Sequence, residues 1–271
     1  MPAARSGAQA EWRRRTRAQD WAVWLAWLAG VALFAGCWQL ITERTIWEFV
    51  WDAPATAADI GGRMVPPRWG YVDKLWRPLW DTINIATLGT LLAVVMGTPI
   101  AFLAARNTTP SAWLARPVAL LIIVSSRSIN SLIWALLLVS IIGPGLLAGI
   151  FAIALRSIGF VAKLLYEAIE EIDRAPVEAV SATGAGRGQI LTYGIVPQVM
   201  PAFAGICVFR WDINIRESTV LGLVGAGGIG LELQASVSVL AWPQVTVIFA
   251  LILATVLASE WVSARIRHAI I

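Results

Sequence analysis

Apolar and polar positions alternate along this chain in long blocks. Six apolar runs, at about 21–41, 82–105, 117–142, 146–165, 196–220 and 245–262, are separated by polar segments of very unequal length. Each run approaches the ~20 residues a helix needs to cross a hydrocarbon core. The pattern therefore predicts an all-α integral membrane protein with about six transmembrane helices. The intervals between runs differ in kind. Residues 1–20 are a basic segment containing Arg13-Arg14-Arg15 and Arg17. Residues 42–79 are mixed in charge, broken by Pro54, Pro66, Pro67 and Pro78, with Trp47, Trp51, Trp69 and Trp76 placed for interfacial packing. A core at 80–265 holds the remaining runs and the polar loop 167–195, and 266–271 is a short tail. The run 21–41 follows arginines as a signal sequence would. It is too long for that role and no small-residue cleavage site follows, so it reads as a first transmembrane helix.

Charge orients these spans. With six crossings both ends of the chain share one side, and that side carries Arg5, Arg13, Arg14, Arg15, Arg17, Arg106, Arg116, Lys163, Arg174, Arg187, Arg265 and Arg267. The other side carries Arg44, Arg63, Arg68, Lys74 and Arg77, with Arg216 near it. Positive residues collect in cytoplasmic loops, so the termini and the loop 167–195 are expected in the cytoplasm and 42–79 outside it. Composition agrees: the 271 residues are 58% hydrophobic and 14% charged, against roughly a quarter charged in soluble domains. Fifteen Trp beside three Tyr suit the aromatic belts of a bilayer interface. The net charge of +4 sits in short segments flanking apolar runs, which points to a lipid bilayer and not to nucleic acid. Cys37 and Cys207 both lie in apolar runs and read as free thiols.

The longest polar interruption of the second half, Glu167 to Pro201, carries its own helix signals. Pro176 suits the first position of a helix, and Glu178 would follow in the first turn, where the helix dipole favours a carboxylate. Gly184 or Gly186 can end it in a left-handed conformation. A helix of about two turns is marginal in water. A docked protein surface is therefore expected to hold it.

The same residues carry a family resemblance. Glu178-Ala179-Val180, Gly184 and Pro197 resemble the EAA loop of permease subunits in binding-protein-dependent ABC importers, a pattern of E-A-A, three residues, G, nine residues, I-x-L-P. Val180, Gly194 and Val196 depart from it, and the spacing is intact. The stretches Ser126 to Ala135 (SRSINSLIWA) and Arg210 to Gly230 (RWDINIRESTVLGLVGAGGIG) resemble the phosphonate-importer permeases. The resemblance implies a type I ABC importer permease fold with a cytoplasmic coupling helix. It implies two ATPase subunits, a second permease copy in a homodimer, and an extracytoplasmic substrate-binding protein. Pro176, Glu178, Ala179, Gly184 and Pro197 would couple to the ATPase, and the cargo would be a phosphonate or a related phosphorus oxyanion.

Other chemistry is sparse. Gly225, Gly227, Gly228 and Gly230 fit G-x-G-x-x-G in Gly225-Ala226-Gly227-Gly228-Ile229-Gly230, but they follow an apolar run, where a dinucleotide site would need a preceding strand. A hinge or close-packed turn is the expected role, near the translocation pathway if the resemblance holds. There is no G-x-x-x-x-G-K-[S/T], so ATP hydrolysis must come from a partner. The single histidine, His268, removes a Ser-His-Asp triad or a His-based metal cluster, and no cofactor is called for. Arg127, Arg156 and Arg210 fall within spans and are read as having no acid at helical spacing, while Asp212 and Arg216 can pair one turn apart. Charge at that depth is costly and faces a bundle interior or an aqueous cavity. These arginines either pair structurally, with carbonyls or Asp212, or line an anion path. A secondary carrier working without an ATPase is the alternative of a different class, and co-purification of an ATPase separates the two.

Overall fold

The computed structural model describes residues 17–270, with the side chain of Ile270 left aside. Most of the basic segment 1–20, with Arg5, Arg13, Arg14 and Arg15, and the last residue of the tail lie outside the described residues. All regular structure among the described residues is helical. The chain divides into two compact units, Met1–Asp59 and Ile60–Ile271.

The first unit is built on α1 (Arg17–Arg44), a helix with no buried residue. Trp21, Trp24, Trp27, Leu33 and Phe34 are all exposed along it. Lipid suits such a helix, because its backbone is internally bonded and its side chains are apolar around the axis. Thr42 turns the chain, its carbonyl accepting a bond from Trp47 Nε1 at 3.2 Å, and α2 (Trp47–Arg63) begins there.

The second unit is a helical bundle. Its elements are α3 (Val72–Ala104), α4 (Ala115–Ser128), α5 (Ser131–Ile142), α6 (Leu146–Glu170), α7 (Arg174–Ala182), α8 (Arg187–Gln189), α9 (Val196–Leu221), α10 (Ile229–Ser238) and α11 (Trp242–Ile270). The pair α3 and α6 forms the centre. Small residues make that contact close: Gly89 lies against Ile153, Gly97 against the Ile158 carbonyl, and Ala86, Ala93, Ala101, Ala152 and Ala162 are fully buried. Where lipid removes any hydrophobic drive between helices, such close backbone approach is what holds them. The outward faces keep large apolar side chains such as Leu91, Val124, Ile133 and Leu253 exposed.

Five described helices are long and apolar enough to cross a membrane, or up to six when the bent pair α4–α5 is taken as one span. That pair corrects one expectation. The run 117–142 is not a continuous helix; it breaks between Ser128 and Ser131 with a bend of 88°. Ile129 and Asn130 are extended, and the Asn130 side chain accepts a bond from Leu132 N at 3.1 Å, so Asn130 caps a new helix. Helices also outrun their apolar runs: α3 begins at Val72, well before the run that opens at 82.

Candidate functional site

Polar groups gather inside the bundle along one face of α9. Arg210, Asn214 and Glu217 recur at four and three residues, so they share a face that meets α6 and α3. The Arg210 side chain is 2% exposed, and its Nε donates to Ser157 Oγ at 2.9 Å. Ser157 Oγ donates to Asn214 Oδ1 at 3.1 Å, and Asn214 Nδ2 donates to Thr90 Oγ1 at 2.7 Å. A buried amide and two hydroxyls thus satisfy one another across three helices. Glu217 Oε1 lies 3.0 Å from Arg156 Nη1 and 3.5 Å from Arg210 Nη2. Arg156 Nη1 also donates to Ser131 Oγ at 3.4 Å, at the start of α5. The guanidinium carbons of Arg127 and Arg210 stand 4.9 and 4.8 Å from the centroid of the Phe160 ring, an arrangement the ring quadrupole favours. Arg127 is exposed at the end of α4.

The three predicted arginines therefore converge, each with its own set of partners. Arg210 is paired, though with Glu217 and Ser157 and not with Asp212. The expectation of no acid at helical spacing is corrected for Arg210 and holds for Arg156, whose acid comes from another helix. Glu217 lies two turns beyond Arg210 and is reached by Arg156 from a different helix. Among the described residues Arg127 has no ion pair, only the Phe160 face. Asp212 does pair with Arg216 as expected, and it accepts a second bond from Ser259 Oγ at 2.8 Å. Two guanidinium groups, Arg156 and Arg210, thus share one carboxylate, and the third, Arg127, stands at the Phe160 ring that Arg210 also covers. No group of three His, Cys, Asp or Glu suited to a metal occurs among the described residues.

The glycine-rich stretch is a close-packed turn. Gly225, Gly227 and Gly228 have φ of +85°, +83° and +78°. Such values suit glycine far better than residues with a side chain. Gly145 N donates to Gly225 O at 3.1 Å, and Ile229 N donates to Thr82 Oγ1 at 2.8 Å, so the turn is tied to the start of α6 and to α3. A Cβ on Gly222 would lie 2.6 Å from Gly230 Cα, which brings α10 back against the end of α9. No strand precedes it among the described residues, and the dinucleotide reading has no support.

Outside the bundle, α7 spans Arg174–Ala182 and ends where expected, with Gly184 at φ +80°. Its start differs. Asp173 caps it, its Oδ1 accepting from Ala175 N at 3.0 Å, so Pro176 is the third helical residue and Glu178 lies beyond the first turn. Nor is α7 without support from its own chain. Gln198 of α9 accepts from Asp173 N at 3.1 Å, and its Nε2 donates to Asp173 O at 3.2 Å and to Gly194 O at 2.7 Å. A Cβ on Gly194 would lie 3.3 Å from Val177 Cα, so the π-helical turn Ile190–Ile195 sits directly against the helix. Pro176, Glu178 and Ala179 are exposed, as is Pro197 at the start of α9. Gly184, Ala179, Val180, Thr183, Gln189 and Tyr193 line an open groove of about 550 Å³.

Long apolar helices around a charge cluster, with α7 held outside them, are an arrangement that suits a membrane transport subunit. Residues 97–268 match the family described as binding-protein-dependent transport system inner membrane component, and the chain belongs to that family. It is thus a permease subunit of an ABC importer. Relatives include the phosphite transport system permease protein PtxC of Stutzerimonas stutzeri, 41% identical over 241 residues, covering 88% of this chain and 85% of that protein. The phosphate-import permease protein PhnE of Mycolicibacterium smegmatis is 42% identical over 206 residues, which are 76% of this chain and 38% of that one. In fold the chain is similar to the MetNI methionine ABC transporter solved in inward-facing conformations. The TM-score is 0.63 at 22% identity, over 73% of this chain and 96% of that chain.

Proposed function

We propose that this permease carries a phosphonate, or a related small phosphorus oxyanion such as phosphite or phosphate, across the cytoplasmic membrane. Two ATPase subunits drive it through α7, and an extracytoplasmic binding protein delivers the cargo. Two copies of the permease form the pathway. The observation that carries the choice of cargo is that Arg156 and Arg210 share the single carboxylate of Glu217 while Arg127 and Arg210 stand over the same ring, Phe160. Excess positive charge within low-dielectric walls favours anions and repels cations. The names of the relatives, phosphite and phosphate permeases, support the same cargo. This sequence has no P-loop, which supports a separate chain as the ATPase.

Arg127 is the arginine on which to test this, because it is exposed and no ion pair among the described residues depends on it. Arg127→Gln keeps a polar side chain and removes the charge. The expected result is assembly with the ATPase and basal hydrolysis near wild type, with phosphite uptake per complex lower by about tenfold or more, the order of effect of a lost charge–anion contact. Unchanged uptake per complex would sink the anion path.

The termini and α7 belong to the cytoplasmic side in this scheme. In a background lacking Cys37 and Cys207, a cysteine at Ala57 is expected to react with an impermeant thiol reagent on intact cells. One at Gly186 should react only after the membrane is opened. Labelling of both from the same side would mean a miscounted span.

A further inference from the structure

Among the described residues, Glu217 is the one carboxylate within ion-pair distance of Arg156 or Arg210. It serves them unequally: 3.0 Å to Arg156 Nη1, but 3.5 Å from both of its oxygens to Arg210 Nη2. A charge-assisted N–H···O contact at rest is shorter than the second of these. The cluster also has an accessible edge, since the Arg156 and Glu217 side chains are 25% and 17% exposed while Arg210 is enclosed. Arg127 and Arg210 both stand over the Phe160 ring, and Arg127 has no carboxylate among the described residues at ion-pair distance. One negative charge thus stands against two partly desolvated positive ones, with the exposed Arg127 at the neighbouring Phe160 ring, which leaves charge to be satisfied by something else.

Guanidinium forks are shaped for acceptors that present two oxygens on one centre. A carboxylate does so, and a phosphorus oxyanion does so with a third oxygen and a higher charge. We infer that Glu217 is a tethered stand-in for the cargo: its carboxylate occupies the oxyanion's place on Arg156 and Arg210 when the pathway is empty and yields it when an oxyanion arrives. This rests on the anion-path reading above. The tether has two effects. It keeps the arginines paired between transport cycles, so that bulk anions do not settle there. It also competes with bound cargo and so helps release it, which a pathway needs as much as binding.

The test uses the intact permease–ATPase complex in lipid nanodiscs without the binding protein, with radiolabelled inorganic phosphite as the probe. Glu217→Gln retains size and a carbonyl oxygen and loses the competing charge. The expected result is phosphite affinity higher than wild type by about tenfold or more, phosphite-dependent thermal stabilisation larger than in wild type, and slower uptake per complex. Should the variant assemble poorly, its membrane abundance in cells grown with and without added phosphite gives the same comparison, and phosphite is expected to raise it. Equal phosphite affinity in the two complexes, or an abundance indifferent to phosphite, overturns the stand-in role. If Arg127→Gln still loses uptake in that event, the anion path stands and only the role of Glu217 falls. If Arg127→Gln imports normally and neither complex binds phosphite, both fall.

Discussion

Valine in place of Gly230 is expected to remove most of the permease from the membrane. A Cβ at that position would overlap the Thr219 carbonyl oxygen and come within 3.0 Å of Gly222 Cα. Both obstacles are backbone, so no side-chain rotation relieves them. On the far side, the adjoining Ile229 N is bound to Thr82 Oγ1 at 2.8 Å, which stops α10 from simply backing away. Overpacking a well-filled site costs about 1–3 kcal/mol where neighbours can adjust, and more where they cannot. Against a net stability of roughly 5–15 kcal/mol that is enough to send much of the protein to quality control. Gly205→Ala, in α9 with nothing within 4 Å of the added methyl, is the control and should leave abundance unchanged. Quantitative blotting of membranes decides it. Normal levels of Gly230→Val would mean that the close turn is not required for the fold.

A second large effect is expected at the opposite pole, where abundance should survive and coupling should not. Gly184 follows α7 at φ +80°, and a Cβ there meets no atom within 4 Å. A side chain there costs about 1–2 kcal/mol in left-handed backbone strain but no packing. The bundle therefore tolerates Gly184→Trp. The indole would fill the groove between Val180, Thr183 and Tyr193, where α7 is expected to receive the ATPase. Uptake should fall by at least about tenfold, the order of effect of blocking the centre of a protein interface. ATP hydrolysis by the complex should stop responding to the loaded binding protein. Gly184→Ala carries the same strain without the bulk and should retain most of the coupling. Glu178→Lys, an exposed reversal of charge on α7, should weaken it as well. Coupled uptake in Gly184→Trp would move the docking surface elsewhere.

Some of this is legible in the sequence. Long apolar blocks announced the spans because lipid imposes one length on all of them. Asp212 and Arg216 could be paired because one helical turn is a fixed distance, and Gly184 could be placed because few other residues end a helix in that conformation. Glu217 escaped for a physical reason. Its partners lie two turns back on α9 and on α6, and a search at one-turn spacing reaches neither. The break in the run 117–142 was hidden by hydropathy, which averages over a window wide enough to conceal two extended residues. The local signal lies in Ser125 to Ser131 (SSRSINS), a polar patch with an asparagine among hydroxyls inside the apolar run. Pro176 reads as a helix start, whereas Asp173, a stronger cap three residues earlier, begins the helix.

The clasp of Gln198 on Asp173 sets the mechanical character of the subunit. Asp173 N donates to the Gln198 side chain, and the Gln198 amide donates back to Asp173 O, so the root of α7 is held from both directions. Gln198 itself sits in the first turn of α9, directly after Pro197. A load applied to α7 is therefore not dissipated in a slack loop. It enters α9 near its beginning and travels along a continuous rod of 26 residues. Arg210, Asp212 and Glu217 are bolted to that same rod, about three to five turns further on at 3.6 residues per turn. The grip on α7 and the charged groups thus belong to one helix, and a rotation of that helix would be expected to shift those groups against their partners on α6 and α11.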